Sequence, residues 1–361
     1  MTQLTHRGSE AQPTRFSAGI EPDLFDDRTI LVTGGTGSFG RSFCKVVLQR
    51  YKPRKLIVLS RDELKQFEMQ NDGFFSQHAS VMRYFIGDVR DRERLEMAFR
   101  GVDYVVHAAA LKHISVAEYN PFECIRTNVH GAENIVVAAT KAGVKRVVAL
   151  STDKAANPIN LYGASKLASD KIFVAARNLV GQGNPMFGVV RYGNVIGSRG
   201  SVIPFYHQLI NNGERELPIT DSRMTRFWIT LEEGVDFVLS CFSLLVGGEI
   251  FVPKIPSMKI TDLAHTMAPD LKTKVVGIRP GEKLHETMIT EDDARTTTEL
   301  ADRFVIFPAM YQHGRAAIEA GSRLPEGFVY ASNTNTDWLT HDQLTTILEG
   351  IAMGPGPIAE R

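Results

Sequence analysis

From Thr29 onward the chain alternates short runs of β-branched and other apolar residues with longer stretches whose apolar positions recur at helical spacing. The runs are TILVT (29–33), KLIVLS (55–60), MRYFIG (82–87), DYVVHAAA (103–110), RVVALST (146–152) and FGVVRYG (187–193). The helical patterns between them begin at Ser38 and fall near 62–70, 91–99, 128–142 and 162–179. Strand–helix–strand alternation of this kind predicts βαβ units and hence an α/β fold built on a doubly wound parallel sheet. After Asn194 the rhythm loosens, with Gly and Pro clusters around 197–204, 215–218 and 253–256, although a helix over 231–245 is clear. The expected organisation is an N-terminal flexible arm over residues 1–27, a Rossmann-type domain over 28–193, and a mainly substrate-binding lobe over 194–361. Some segments of that lobe are expected to return to the first domain. No repeat or low-complexity tract interrupts this pattern.

Composition narrows the partners such a fold would have. With 361 residues, 43% hydrophobic and 23% charged, the chain can bury one large core and a smaller one. Lys plus Arg and Asp plus Glu balance at 41 each, so no overall positive field favours nucleic acid or an anionic membrane, and an anion site must be a local cluster. Cys44, Cys124 and Cys241 lie far apart, which fits neither a disulfide framework nor a zinc site and points to a reducing cytoplasm. The first 25 or so residues lack the apolar core of a signal peptide, and the longest apolar stretch, near 237–246, is too short to span a bilayer. A soluble cytoplasmic protein with no metal is therefore expected.

The chemistry lies at the strand ends. TILVT runs into Gly34-Gly35-Thr36-Gly37-Ser38-Phe39-Gly40 and then a helix, where a dinucleotide pyrophosphate would meet free N–H groups and the positive helix end. The spacing T-G-G-x-G-x-x-G is the short-chain dehydrogenase variant of that loop. An NAD enzyme usually ends its second strand in a carboxylate for the ribose 2′-hydroxyl. Here that strand ends Ser60-Arg61, which suits the 2′-phosphate of NADP, while the neighbouring Asp62 keeps NAD open. Asp88 and Val89 follow the third strand where the adenine edge would lie, and Ala108 opens a run of small residues after the fourth that lets a cofactor lie close.

Tyr162 and Lys166, four residues apart on one face of a predicted helix, form Y-x-x-x-K. A nearby ammonium would stabilise the phenolate, so that the tyrosine can take a hydroxyl proton during hydride transfer. Ser151-Thr152 at the fifth strand's tip supplies hydroxyls for the same centre. Asp153-Lys154 follows, an acid and a potential base that simple oxidation or epimerisation would not need. After a hexose is oxidised at C4 its C5 proton becomes acidic, and a lysine with its pKa lowered by burial and neighbouring positive charge could remove it, with loss of the C6 hydroxyl following.

At this point the matches become long: TGGTGSFG, SRDELKQ, IGDVRDRERL, HAAALKHISVAEYNPFECIRTN, LSTDKAANPINLYGASKL, VVRYGNVIGSRGSV, ITDSRMTRFWIT, GGEIFVPKIPSMK and GIRPGEKLHE. From about Thr29 to Pro308 the chain resembles the configuration-inverting UDP-N-acetylglucosamine 4,6-dehydratases that begin pseudaminic acid synthesis, a branch of the extended short-chain dehydrogenases/reductases. The resemblance implies Asp153 and Lys154 as the dehydration pair and Tyr162 with Lys166 as the redox pair. It adds Lys65, Lys112 and Asn128 to the NADP contacts, and puts Lys112, Asn194, Arg199, Arg226, Arg279 and Glu282 at the sugar nucleotide, with the arginines as diphosphate clamps. UDP-N-acetylglucosamine is the implied substrate and a homo-oligomer the implied assembly. The leading segment and the loop at 74–81 are longer than the family pattern. Larger membrane-bound relatives often carry methionine at the position of Tyr162. A nucleotide-sugar 4-epimerase would share the glycine loop and the Tyr162/Lys166 pair, and an idle NADP sensor would share the fold without needing that pair.

Overall fold

The computed structural model describes residues 14–180, 183, 185–198, 200–308 and 321–352. Six apolar runs become parallel strands: β1 (Thr29–Thr33), β2 (Lys55–Ser60), β3 (Met82–Ile86), β4 (Tyr104–His107), β5 (Arg146–Thr152) and β6 (Met186–Tyr192), in the spatial order β6-β5-β4-β1-β2-β3. The order reverses between β1 and β4, which opens a crevice at the carboxyl ends of these strands. The candidate residues 34–40, 60–62, 88–89, 108 and 152–154 lie at or just beyond such ends, whereas Asn128 lies on a helical turn and Tyr162 and Lys166 on the helix after β5. From the C-terminal half, Ile250–Pro253 pairs parallel to β6, and Arg303–Ile306, Thr297–Glu299 and Ser322–Arg323 continue the same sheet antiparallel.

The helices are α1 (Ser38–Arg50), α2 (Glu63–Gln70), α3 (Arg92–Ala98), α4 (Ile114–Tyr119), α5 (Pro121–Ile125), α6 (Gly131–Ala142) and α7 (Leu161–Val180). Asp62 and Asp91 start α2 and α3 by accepting the backbone N–H of Lys65 and Arg94 at 3.0 and 2.9 Å, which satisfies donors that a helix start leaves open. A π-turn over Arg126–His130 joins α5 to α6, so the helix read from residue 128 is in fact continuous with a wider-wound turn before it. The stretch at 74–81, read as an expanded loop, holds a short 3-10 helix, Phe75–His78, that buries Phe75.

Residues 14–27 are not a flexible arm. Phe16, Leu24 and Phe25 are buried; the Phe25 ring sits 5.3–6.0 Å from those of Phe43, Tyr51, Tyr104 and Phe242. The Thr14 and Ser17 hydroxyls donate to Asp236 at 2.8 and 2.9 Å. Residues 1–13 lie outside the described part. Phe25→Ala should therefore cost about 3–5 kcal/mol, as for an aromatic truncated in a rigid core. Denaturant unfolding reads it as a lower midpoint at unchanged slope, and a loss under about 1 kcal/mol would mean the segment contributes little.

A second core lies in the C-terminal half around Ile203, Tyr206, Leu217, Trp228, Met258 and Leu263. Asn194–Val195 joins it to the crevice by pairing with Thr225–Ile229. The helix Leu231–Leu244, begun by a Thr230/Glu233 capping box, packs on α1 and belongs to the larger core. Cys44, Cys124 and Cys241 are buried free thiols. Among the described residues no helix is long and apolar enough to cross a membrane.

Candidate active site

The glycine loop is shaped by contacts that exclude side chains. Gly34 has φ +65°, and a Cβ there would lie 2.9 Å from the Ala109 nitrogen; one on Gly40 would lie 2.5 Å from Gly35 Cα. The loop thus folds tightly against the first turn of α1, whose N-cap, Gly37, makes no side-chain cap. A helix start presented in this way fits a pyrophosphate. The Thr36 and Ser60 hydroxyls meet at 3.0 Å across β1 and β2. The Phe39 ring, partly buried, stacks on Phe43 and Tyr192 at the edge of the larger core.

At the end of β2, Asp62 is engaged by Lys65: its backbone amide, the stronger influence, and its ammonium at 2.9 Å hold the carboxyl below the usual range. Arg61 is half exposed and lies 3.5 Å from Asp88, whose other oxygen contacts come from Arg90. Burial alone would raise Asp88, but the Arg90 hydrogen bonds outweigh it and keep the carboxyl low. Val89 is buried against Gly131. Asn128 is held by partners within the chain. Its amide accepts the Leu111 N–H at 2.9 Å and donates to the Leu111 carbonyl and the Ser165 hydroxyl at 3.0 and 2.9 Å, which ties the loop after β4 to α7. Lys112 is exposed on that loop. His107, hydrogen-bonded to Thr33 at 2.8 Å, is pulled to about 3 by burial and, secondarily, by Lys166. It is a neutral core histidine.

Thr152, Asp153, Lys154 and Tyr162 gather at the tip of β5. The Thr152 hydroxyl donates to Asp153 Oδ1 at 2.9 Å, and Lys154 Nζ donates to the same oxygen at 3.0 Å. Lys154 also contacts Glu286 Oε1 at 3.3 Å and Asn194 Oδ1 at 3.3 Å. Asp153 and Glu286 are fully buried, and each keeps one carboxyl oxygen (Oδ2, Oε2) without a partner. Burial, reinforced by the charge of Glu286, raises Asp153. Burial also works on Glu286, yet Lys154, Arg226 and Lys283 overcome it and lower that group. Two carboxyls flanking one lysine are thereby pushed apart, the pattern that divides an acid from a base.

Two expectations change here. The sequence predicts a Lys154 lowered by burial and neighbouring positive charge. Burial does act on it, but Asp153 and Glu286 outweigh it and hold the ammonium above its ordinary range. Tyr162, buried, is pushed up to about 12; the groups drawing it back are Lys154 and a hydrogen bond with Thr152. Lys166 lies on the same face of α7 but donates to the Leu150 carbonyl at 2.7 Å, and burial lowers it against the pull of Asp170. The cation acting most on the phenol is thus Lys154. Beneath the centre, Asp170 accepts from Ser151 at 2.8 Å and pairs with the buried Arg191, which also reaches Asp293 at 3.0 Å. Nothing in the strand FGVVRYG marks Arg191 as part of such a network.

Of the lobe residues, Asn194 reaches the centre through Lys154. Arg226 is not posed as a clamp: it donates to the carbonyls of Thr225, Lys283 and Leu284 at 2.7–3.1 Å and lies 3.7 Å from Glu286. It braces the loop that carries Glu286. Arg279 is exposed, 3.8 Å from Glu282, on a loop fastened by the Gly281 carbonyl accepting from Asn160 at 2.7 Å. Arg199 lies outside the described residues. Glu286, which closes the stretch GIRPGEKLHE, is the centre's residue that was not singled out from the sequence.

A sheet that reverses between β1 and β4, with a glycine cradle at that point and Tyr162 and Lys166 one turn apart on the helix after β5, defines the extended short-chain dehydrogenase/reductase class. Residues 30–308 match the family model described as "Polysaccharide biosynthesis protein". The UDP-N-acetylglucosamine 4,6-dehydratase (inverting) of Campylobacter jejuni is 57% identical over 332 residues, which span 90% of this chain and 98% of that protein. The UDP-glucose 4-epimerase of Rickettsia akari is 40% identical over 78% of this chain and 84% of its own. Among solved structures, Pen from Bacillus thuringiensis superposes with a TM-score of 0.82 at 35% identity, covering 91% of this chain and 99% of that one. The chain belongs to the inverting UDP-N-acetylglucosamine 4,6-dehydratase family.

Proposed function

We propose that this chain is an NADP-dependent, C5-inverting dehydratase that converts UDP-N-acetylglucosamine to UDP-2-acetamido-2,6-dideoxy-β-L-arabino-hex-4-ulose. The observation that carries the reading is the buried Asp153–Lys154–Glu286 cluster beside Thr152 and Tyr162. A 4-epimerase oxidises and re-reduces C4 and has no use for an acid and a base at C5 and C6. A nicotinamide dinucleotide held at the glycine loop and the start of α1 would supply hydride acceptance at C4 and hydride return at C6, so that the cofactor would end as it began. Tyr162 takes the proton of the C4 hydroxyl, aided by Thr152 and Lys154. The C4 ketone acidifies C5–H. Transfer of the shared proton from Lys154 to Asp153 creates an amine base and a carboxylic acid together, without changing net charge. Lys154 then removes the C5 proton, and Asp153 protonates the departing C6 oxygen, so that water leaves. Protonation of C5 from the opposite face inverts that centre as hydride reaches C6. Proton NMR of the product made in heavy water tests the whole reading. A 4-keto-6-deoxy sugar with C5 inverted and deuterated is expected; UDP-N-acetylgalactosamine would identify an epimerase instead.

For the cofactor, Asp62 is tied up as the cap of α2 while Arg61 keeps a half-exposed guanidinium near the ribose end, which favours a 2′-phosphate. NADP+ should bind at least about tenfold more tightly than NAD+, a difference of about 1.4 kcal/mol. Calorimetry checks it. Equal affinities, or an Arg61→Ala variant with an unaltered ratio, would return the assignment to NAD. The exposed Tyr119 and Phe122 on α4 and α5 support a homo-oligomer. Reduced buried thiols support a cytoplasmic setting, and the likeness to pseudaminic acid dehydratases supports a place at the first step of that synthesis.

A further inference from the structure

Glu286 reaches the dehydration centre from a loop far along the chain, and its surroundings are more than structural. Its backbone is pinned by the Ser332 hydroxyl at 3.0 Å and by the backbone bond of Ser332 to its carbonyl at 2.8 Å. Its carboxylate meets Lys154 from the turn after β5 and Arg226 from the Thr225–Ile229 strand. The charges that act on it are those of Lys154, Arg226 and Lys283, with Asp153 facing it across the lysine. Lys283 itself donates to the Ala156 carbonyl at 2.6 Å, and His285 turns away to Thr225 at 2.8 Å. Glu286 is therefore surrounded by cations yet leaves one buried oxygen unpartnered, as Asp153 does.

We propose that Glu286 is a positioning residue of the dehydration, a fixed negative charge that holds Lys154 Nζ against Asp153 and assigns Asp153 the role of proton donor to the C6 oxygen. The inference rests on the dehydratase reading above. A permanent anion on the far side of the lysine makes every exchangeable proton of the centre harder to lose. It keeps the proton on Asp153 until the C6 oxygen takes it, and on Lys154 until Asp153 does. Removing that charge should let both leave more readily and carry the whole pH profile of elimination in one direction.

The test is Glu286→Gln, which keeps shape and one acceptor oxygen. Water loss should slow at least about tenfold while C4 oxidation, read as bound reduced nicotinamide, slows far less. The pH profile of elimination should move about one unit towards acid. Glu286→Asp keeps the charge and should keep the profile where the unaltered enzyme has it. A Gln variant whose profile stays in place, or one that loses oxidation and elimination equally, overturns the proposal, as does an Asp variant shifted like Gln. If the Gln variant fails to fold, the Asp variant alone decides by its profile. Should the unaltered protein itself release no 4-keto-6-deoxy sugar, the dehydratase reading fails first, which separates the two.

Discussion

In Tyr162→Phe, hydride transfer from C4 is expected to fall at least about a hundredfold, the usual contribution of a positioned proton acceptor. The phenol is buried, and burial pushes it up to about 12, so it gives up its proton only because other groups favour the phenolate. Lys154 and the Thr152 hydrogen bond are two such groups in the structure. Phenylalanine keeps the ring and its packing against Ala117 and Cys124 but has no oxygen to accept the C4 hydroxyl proton. Fold and nucleotide affinity should therefore survive, and stopped-flow absorbance at the reduced-nicotinamide band should show no burst. Because the base form is the deprotonated phenol, the oxidation rate of the unaltered enzyme should rise with pH. Normal turnover in the variant would remove Tyr162 from the chemistry.

The parallel half was legible because its information is local. Uninterrupted apolar runs at regular distances fix strands, helical patterns begin at Asp62 and Asp91, and Gly34 and Gly40 sit where a Cβ would collide with backbone. Phe16, Leu24 and Phe25 carry no such signal: they are too sparse for periodicity, and their burial is explained only by tertiary partners, Phe237 for Phe16 and the rings of Phe43, Tyr51, Tyr104 and Phe242 for Phe25. Arg226 looked like an anion clamp because an arginine in a neutral chain invites that reading. Its guanidinium is satisfied by carbonyls that only the folded loop supplies. Lys154 shows the same limit in electrostatic form. Desolvation could be anticipated from its place beside the strand tip, but the upward shift comes from Asp153, whose carboxylate meets the ammonium only in the folded turn, and then from Glu286, whose approach is a tertiary event.

Lys154→Ala should separate elimination from oxidation. Water loss and deuterium uptake at C5 are expected to fall at least about a hundredfold, since Asp153 in its donor role cannot also take the C5 proton. Oxidation should slow as well, though less, because Lys154 is the cation drawing down Tyr162 while Lys166 and Thr152 remain. Bound reduced cofactor should then accumulate with the sugar held as its 4-ketone. The variant carries an independent stability signature. Without the ammonium, Asp153 and Glu286 face each other in a buried site, so one of them must hold a proton in the folded state well above its unfolded pKa. Folded-state protonation of that kind stabilises fully below the unfolded value and is lost as pH rises through the folded one. The variant should therefore melt progressively lower, relative to the unaltered protein, as pH is raised from mildly acidic to alkaline. A lysine with only a structural role predicts the stability signature without the loss of elimination. If C5 exchange and product release stay within a few-fold of normal, Lys154 is not the base, and a carboxylate of the cluster must accept the C5 proton in its place.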